Sequence, residues 1–141
     1  MTPTRSALLT ALFLFAASRV FAAEDLDKCA LPKGGKTTVS QADLPPLLQR
    51  LTYGLGRRDD ELRTDASGPH TNLPIERLGR AFNLNRRWVL VEEGGGFARY
   101  TKMVVYALSQ KGDLAMLITD HPREVSCKAI MMALQPSPKD Y

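Results

Sequence analysis

The second half of the chain is a succession of short apolar segments joined by connections too short to cross a sheet. Residues 88–91, 97–109, 114–119 and 125–134 are rich in apolar, β-branched or aromatic residues, and turn-forming residues separate them. Each segment is typical of a β-strand. Because a parallel crossover needs about a dozen residues or more, the short connections restrict successive strands to antiparallel pairing. The pattern therefore predicts a four-stranded antiparallel meander.

Two helices are predicted before these strands. The first begins at Asp43, which can cap it, and has two prolines in its first turn. Its apolar stripe has helical spacing and consists of Leu44, Leu47, Leu48, Leu51 and Leu55. The second begins at Asn72 with another proline in its first turn, and its stripe consists of Ile75, Leu78 and Phe82. Helices followed by strands predict a two-layer α+β fold, with two N-terminal helices packed on one face of the four-stranded sheet.

The first 23 residues have the three-part pattern of a secretory signal peptide. Arg5 supplies the positive start, residues 7–17 form an apolar run of 11 residues, and small residues lead to Ala22 and Ala23. A membrane-spanning helix needs about 20 apolar residues, and this run is well short of that. We expect cleavage after Ala22 or Ala23, which leaves residues 24–141 as a single α+β domain in the periplasm or outside the cell.

Cys29 and Cys127 are the only cysteines in the chain. Nothing keeps thiols reduced in an oxidising compartment, so two cysteines in an exported protein usually pair. Neither cysteine belongs to a C-x-x-C motif, which is the arrangement expected of a redox-active or haem-binding pair. The sequence therefore predicts one structural disulfide, which ties the start of the mature chain to its last predicted strand.

The charge of the mature chain is close to neutral. The whole chain has 19 basic and 15 acidic residues, a net charge of +4. Arg5 and Arg19 lie in the predicted leader, so the mature chain keeps 17 basic residues against the same 15 acidic ones, a net charge of +2. A nucleic-acid-binding protein needs a concentrated basic face. Charge and compartment together exclude nucleic acid as an expected partner.

Arginines are concentrated in the predicted helical half, and they allow two interpretations. They are Arg50, Arg57, Arg58, Arg63, Arg77, Arg80, Arg86 and Arg87. They could form a solvated face paired with nearby acidic residues. Alternatively, they could form a patch that binds carboxylates or phosphates, because arginine binds these groups bidentately.

The segment EEGGGFARY lies between the first two predicted strands. A phosphate-binding loop would lead into a helix, whereas these glycines lead into a strand and follow two carboxylates. The favoured hairpin turns need only two residues, so the third glycine indicates either a simple bend or a flexible tip. Aromatic and arginine residues are enriched at interface hot spots. The candidate partner-binding residues are Glu92, Glu93, Gly94, Gly95, Gly96, Phe97, Arg99 and Tyr100.

The chain contains no motif that predicts catalysis, a metal or a cofactor. His70 and His121 lack the H-E-x-x-H spacing of a zinc site, and no G-x-S-x-G motif surrounds a serine. Glu92 and Glu93 are neighbours on a predicted strand, so their side chains are expected on opposite faces rather than across one cleft. The sequence therefore predicts a protein that is not an enzyme.

These features favour a small exported interaction protein that binds and blocks another exported protein. Inhibitors of wall-degrading enzymes and immunity proteins against delivered toxins belong to this class. Residues 94–100 or the loop at residues 65–72 would contact the partner. The alternative is a small-ligand binding module with an apolar pocket between the first predicted helix and the sheet.

Overall fold

The computed structural model describes residues 25–63, 72–96, 98–121 and 125–136. They form a five-stranded antiparallel sheet in which each strand pairs with the next one along the chain. The strands are β1 (Lys36–Thr38), β2 (Glu76–Leu84), β3 (Arg87–Gly94), β4 (Tyr100–Leu108) and β5 (Ala115–His121). The two α-helices are α1 (Pro46–Leu51) and α2 (Cys127–Leu134), and Leu26–Lys28 and Gln41–Asp43 form short 3-10 helices. The meander is thus one strand longer than the sequence predicts.

The predicted signal peptide, residues 1–23, lies outside the described residues. The same is true of residues 65–71 in the predicted contact loop, and therefore of His70. Within the ranges that are described, no helix is long and apolar enough to cross a membrane.

The predicted fold of two N-terminal helices on four strands is wrong, first because the predicted second helix is strand β2. Leu78 and Ala81 face one side of the sheet, and Phe82 faces the other. The pairing of β2 with β3 shifts register between Leu78 and Arg80, which leaves Gly79 as the extra residue of a bulge. The predicted helical stripe joined Leu78 and Phe82, four residues apart, but the bulge between them places these two side chains on opposite faces of the sheet.

The predicted fourth strand, residues 125–134, is also wrong, because this segment forms α2. Ser126 caps the helix, since its Oγ accepts a hydrogen bond from the Ala129 amide at 3.1 Å. Ile130 and Leu134, four residues apart, are its fully buried side chains. The segment is so apolar that its helical period is hard to distinguish from a continuous buried strand.

Helix α1 occupies the predicted position but is shorter than predicted. It ends after six residues, where the hydroxyl of Thr52 donates to the carbonyl of Leu48 at 2.8 Å. Asp43 does not cap it, and its carboxylate instead accepts a hydrogen bond from the Thr38 hydroxyl at 2.9 Å. Leu44 and Leu48 are buried as predicted, whereas Leu51 is exposed to solvent.

The sheet has apolar residues on both faces, and each face is covered by a different helix. Leu44 and Leu48, from the α1 segment, pack on a face that includes Leu78, Leu90 and Val104. The opposite face is covered by α2 and by the N-terminal segment, and its core residues are Phe82, Val89, Val91, Met103, Val105, Ile130 and Leu134. The arrangement therefore has three layers rather than the predicted two.

The predicted disulfide between Cys29 and Cys127 is confirmed. Their Cα atoms are 5.3 Å apart, and the bond joins residues separated by 98 positions. It links the N-terminal segment to the first residue of α2, so both elements are held on the same face of the sheet. A disulfide is typical of proteins in an oxidising, extracellular compartment.

Candidate functional site

The predicted partner-binding segment forms the hairpin between β3 and β4. Glu92, Glu93 and Gly94 are the last residues of β3, and Gly94 pairs with Tyr100 at the start of β4. The connection between these strands comprises residues 95–99, and Phe97 within it lies outside the described residues. We call this end of the sheet, from Glu92 to Tyr100 together with the neighbouring residues of β2, the hairpin end.

Two of the three glycines in the hairpin are required by close packing. A Cβ atom at Gly94 would overlap the ring of Tyr100, and one at Gly95 would overlap the carbonyl of Arg63. Gly95 also donates its amide to the carbonyl of Ile75 at 2.8 Å. Only Gly96 has a backbone that glycine favours, with φ of 101°. Gly94 and Gly95 are therefore packed parts of the fold, and the flexible-tip interpretation does not apply to them.

Lys102 is at the centre of a charged cluster on the face that α1 covers. Its Nζ atom is 3.0 Å from Glu76 Oε1 and 3.1 Å from Glu92 Oε2. The hydroxyl of Tyr100 donates a hydrogen bond to Glu76 Oε1. Three strands contribute to the cluster, because Glu76 is on β2, Glu92 on β3, and Tyr100 and Lys102 on β4. We call these four residues the Lys102 cluster.

The cluster changes the ionisation of its members. Burial opposes the charge on Glu76, but the hydrogen bonds from Tyr100 and Lys102 outweigh burial and lower the pKa of Glu76. Burial likewise opposes the charge on Lys102, and the two carboxylates outweigh it and raise the pKa of Lys102. The hydrogen bond to Glu76 raises the pKa of Tyr100. At neutral pH Glu76 is therefore a carboxylate, Lys102 an ammonium group and Tyr100 a neutral phenol, which suits a structural ion pair.

A second ion pair is formed by the next residues of β2 and β3 and anchors a loop. Arg77 Nε donates to Glu93 Oε2 at 2.7 Å, and Arg77 Nη1 donates to the carbonyl of Asp60 at 2.6 Å. Gly56 forms an isolated parallel bridge to Arg77, so the segment after α1 runs along the edge of β2. Glu93 is therefore engaged within the fold.

Glu76, Arg77 and Lys102 contact residues of the predicted site but were not predicted to belong to it. Their positions follow from strand register, since Glu76 pairs with Gly94 and Lys102 pairs with Glu92. The charged residues Glu76 and Arg77 would have pointed to the site only if their segment had been assigned as a strand.

Several arginines of the predicted helical half form ion pairs or hydrogen bonds with other parts of the fold. Arg80 pairs with Asp27, and Arg58 Nη2 lies 3.7 Å from the same carboxylate. Arg87 is buried, and its Nη1 donates to the carbonyl of Ala133 near the end of α2 at 2.8 Å. Burial lowers the pKa of Arg87. These contacts favour a structural role for Arg58, Arg80 and Arg87.

The described residues of the hairpin end differ in their exposure to solvent. Arg99 is exposed and Tyr100 is 40% exposed, whereas Glu92 is buried. A shallow cavity of about 330 Å³ adjoins them, and it is lined by Leu62, Arg77, Glu93, Gly94, Arg99, Tyr100 and Thr101. Among the described residues, Arg99 and Tyr100 are therefore side chains that a partner at this end would meet.

A second cavity lies at the opposite end of the sheet. It has a volume of about 320 Å³ and lies beside the C-terminal end of α2 and the β2–β3 and β4–β5 turns. Its apolar lining includes Leu84, Leu108, Leu114, Met116 and Leu134. In contrast, Leu44 and Leu48 are buried against the sheet.

No cluster of three or more potential metal-ligating residues occurs within the part of the chain that the structure describes. No protein-family model, curated protein or solved structure matches this chain. The functional interpretation therefore depends on the geometry of the two ends of the sheet.

Proposed function

We propose that this protein is a periplasmic or secreted interaction protein that binds and blocks another exported protein through its hairpin end. The proposal depends on the side chain of Tyr100, which is held in one position and is partly exposed to solvent. Its ring is held against Gly94, its hydroxyl is held by Glu76, and 40% of its surface remains exposed. An aromatic side chain ordered before binding loses little conformational entropy when a partner covers it.

The exposed Arg99 supports the same proposal. It lies next to Tyr100, and arginine and tyrosine are among the residues that contribute most to binding at interfaces. The shallow cavity beside them can accept a side chain from the partner. Glu92 and Lys102 stabilise the hairpin beneath this surface rather than contact the partner. The disulfide supports action in an oxidising compartment.

Affinity capture tests this proposal. Oxidised residues 24–141 would serve as bait for envelope and secreted fractions of the source cells, and captured proteins would be identified by mass spectrometry. We expect one stoichiometric partner, and a loss of the partner's own activity on binding would show that the protein is an inhibitor. A folded bait that captures nothing above background would contradict the proposal.

Charge reversal at the hairpin end tests the assigned surface. Arg99→Glu should weaken capture of the partner about tenfold or more, because loss of an arginine hot spot commonly weakens binding by about 2 kcal/mol or more. Lys111→Glu is the matched control, since Lys111 is an exposed basic residue in the β4–β5 turn at the other end of the sheet. Equal binding by the two variants would exclude the hairpin end as the contact surface.

The cavity beside α2 supports ligand binding as a second candidate function. The volume of this cavity is at the lower end of the range for small-molecule sites. Its lining is largely apolar and also includes Arg87 and Ser109. A thermal-shift screen with small amphipathic molecules would test it. A ligand that stabilises the wild type should lose its effect in Ala107→Trp, because Ala107 lines the cavity and the indole ring would fill it. Stabilisation retained in that variant would exclude the cavity.

A further inference from the structure

The cavity at the end of α2 combines aliphatic side chains with two arginines. Its aliphatic residues come from β2, β4, β5, the turn before β5 and the end of α2, and they are Leu84, Leu108, Met116, Leu114 and Leu134. Leu114 and Met116 are 70% and 49% exposed. A ligand with an apolar part would remove some of this surface from water, which favours binding.

The charged residues that line the cavity are both basic. They are Arg86 and Arg87, and no acidic residue of the described part of the chain lines it. Asp113 lies in the adjoining β4–β5 turn, where its carboxylate accepts a hydrogen bond from the Ser109 hydroxyl at 2.6 Å. Lys111 in the same turn offsets the charge of Asp113. The cavity therefore has a positively charged lining, and the charges of the turn beside it cancel.

Arg87 contributes a charge to the wall of the cavity. It is buried, and its Nη1 donates to the carbonyl of Ala133 near the end of α2 at 2.8 Å. Burial lowers the pKa of Arg87, so its surroundings oppose the positive charge. A negative charge in the cavity would offset part of this opposition.

Arg86 is the arginine that a ligand can contact directly. It lies in the turn between Leu84, the last residue of β2, and Arg87, the first residue of β3. Its carbonyl accepts a hydrogen bond from the Leu108 amide at 2.9 Å, which fixes the Arg86 backbone beside the cavity. The Arg86 side chain is exposed, and within the described part of the chain it pairs with no carboxylate.

We propose that this cavity binds a small aliphatic carboxylate, with the aliphatic chain among the leucines and Met116 and the carboxylate at Arg86. A guanidinium group donates two parallel hydrogen bonds to a carboxylate, and one exposed arginine matches one negative charge. The volume of about 320 Å³ suits a short aliphatic chain. The proposal rests on the ligand-binding function given above as the second candidate, and it does not depend on partner binding at the hairpin end.

Isothermal titration calorimetry of oxidised residues 24–141 with three probes tests the proposal. Octanoate has both the chain and the carboxylate, octylamine has the chain with a positive head, and acetate has the carboxylate alone. Octanoate should bind about tenfold or more tightly than octylamine, because like charges in contact are unfavourable. It should also bind about tenfold or more tightly than acetate, which buries no aliphatic chain.

Arg86→Gln identifies the residue that holds the carboxylate. The variant should bind octanoate about tenfold or more weakly, because it loses a hydrogen bond between charged groups. Its affinity for octylamine should not fall. Arg50→Gln is the matched control, since Arg50 is an exposed arginine on α1 and does not line the cavity. This control should bind octanoate as the wild type does.

Three results would overturn the proposal. They are equal affinities of the wild type for octanoate and octylamine, equal affinities of Arg86→Gln and Arg50→Gln for octanoate, and no binding of octanoate by the wild type. Circular dichroism would show that both variants are folded. The thermal-shift screen with Ala107→Trp decides separately whether the cavity binds ligands of any class, so failure of this proposal and failure of the ligand-binding function are distinguishable.

Discussion

The ring of Tyr100 occupies the space that a Cβ atom at Gly94 would need. The two residues form the last pair of the β3–β4 ladder, so the ring lies across the end of β3. From this position the Tyr100 hydroxyl reaches Glu76 on β2. Gly94 on β3 therefore allows the side chain of Tyr100 on β4 to form a hydrogen bond with Glu76 on β2.

Gly94→Ala should destabilise the protein by about 1–3 kcal/mol, because the added methyl group must displace the Tyr100 ring. Urea unfolding followed by circular dichroism would measure the change. Gly54→Ala is the control, because a Cβ atom at Gly54 would have no other atom within 4 Å. The stability of this variant should be close to that of the wild type.

The double variant Gly94→Ala with Tyr100→Ala identifies the cause of that loss. Removing the ring removes the overlap, so the substitution at Gly94 should cost less in this background than in the wild type. An equal cost in both backgrounds would show that contact with Tyr100 is not the reason for glycine at this position.

The Lys102 cluster should make stability depend on pH. The folded-state pKa of Glu76 is lowered, so its contribution is present above the unfolded pKa near 4.5 and is lost as the pH falls through the folded value. The folded-state pKa of Lys102 is raised, so its contribution is present below 10.5 and is lost as the pH rises through the folded value. Glu76→Gln should therefore be less stable than the wild type by about 1 kcal/mol at neutral pH.

Urea unfolding between neutral and acidic pH would check this prediction. The difference between the wild type and Glu76→Gln should shrink as the pH falls below about 4.5, because protonated Glu76 no longer attracts Lys102. Glu61→Gln, at an exposed carboxylate, should have nearly wild-type stability at neutral pH. A difference that is the same at neutral and acidic pH would contradict the assigned role of Glu76.

Loss of the disulfide should cost about 2–5 kcal/mol, because the bond restricts a loop of 98 residues in the unfolded chain. The double variant Cys29→Ala with Cys127→Ala would show this as a lower urea midpoint. Reductant should lower the midpoint of the wild type to a similar value and leave the double variant unchanged. A double variant as stable as the oxidised wild type would show that the bond contributes little.

The packing of α1 on the sheet gives a prediction with an internal control. Leu48→Ala should cost about 2–5 kcal/mol, since Leu48 is fully buried against the sheet. Leu51→Ala, one turn further along the chain, should change stability by less than about 0.5 kcal/mol because Leu51 is largely exposed. Equal losses at the two positions would contradict the short α1 helix described above.

Local sequence patterns were sufficient to predict three of the five strands. Strands β3, β4 and β5 lie where β-branched and aromatic residues predict them, and short turns make them antiparallel. The spacing of apolar residues did not predict the correct secondary structure for the segments that form β2 and α2. The bulge at Gly79 places Leu78 and Phe82 on opposite faces, although their spacing in the sequence is that of one helix face. The apolar run after Ser126 conceals the period of α2.

The predicted partner-binding segment was chosen by its composition, but the geometry of this segment was not predictable from the sequence. The glycines and their aromatic and arginine neighbours do lie in one hairpin. The role of Gly94 as a contact for Tyr100, and of Glu92 as a partner of Lys102, depends on which residues lie opposite each other. Partner binding at Arg99 and Tyr100 stays a prediction.

The sequence by itself determined the disulfide, the antiparallel order of β3 to β5 and the position of α1. These follow from the number of cysteines, the lengths of connections and the spacing of neighbouring residues, which are local properties of the chain. Only the tertiary structure decided that α1 and α2 cover opposite faces and that β2 enters the sheet. It also decided that Glu76, Tyr100 and Lys102 meet, because strand register joins residues that are distant in sequence.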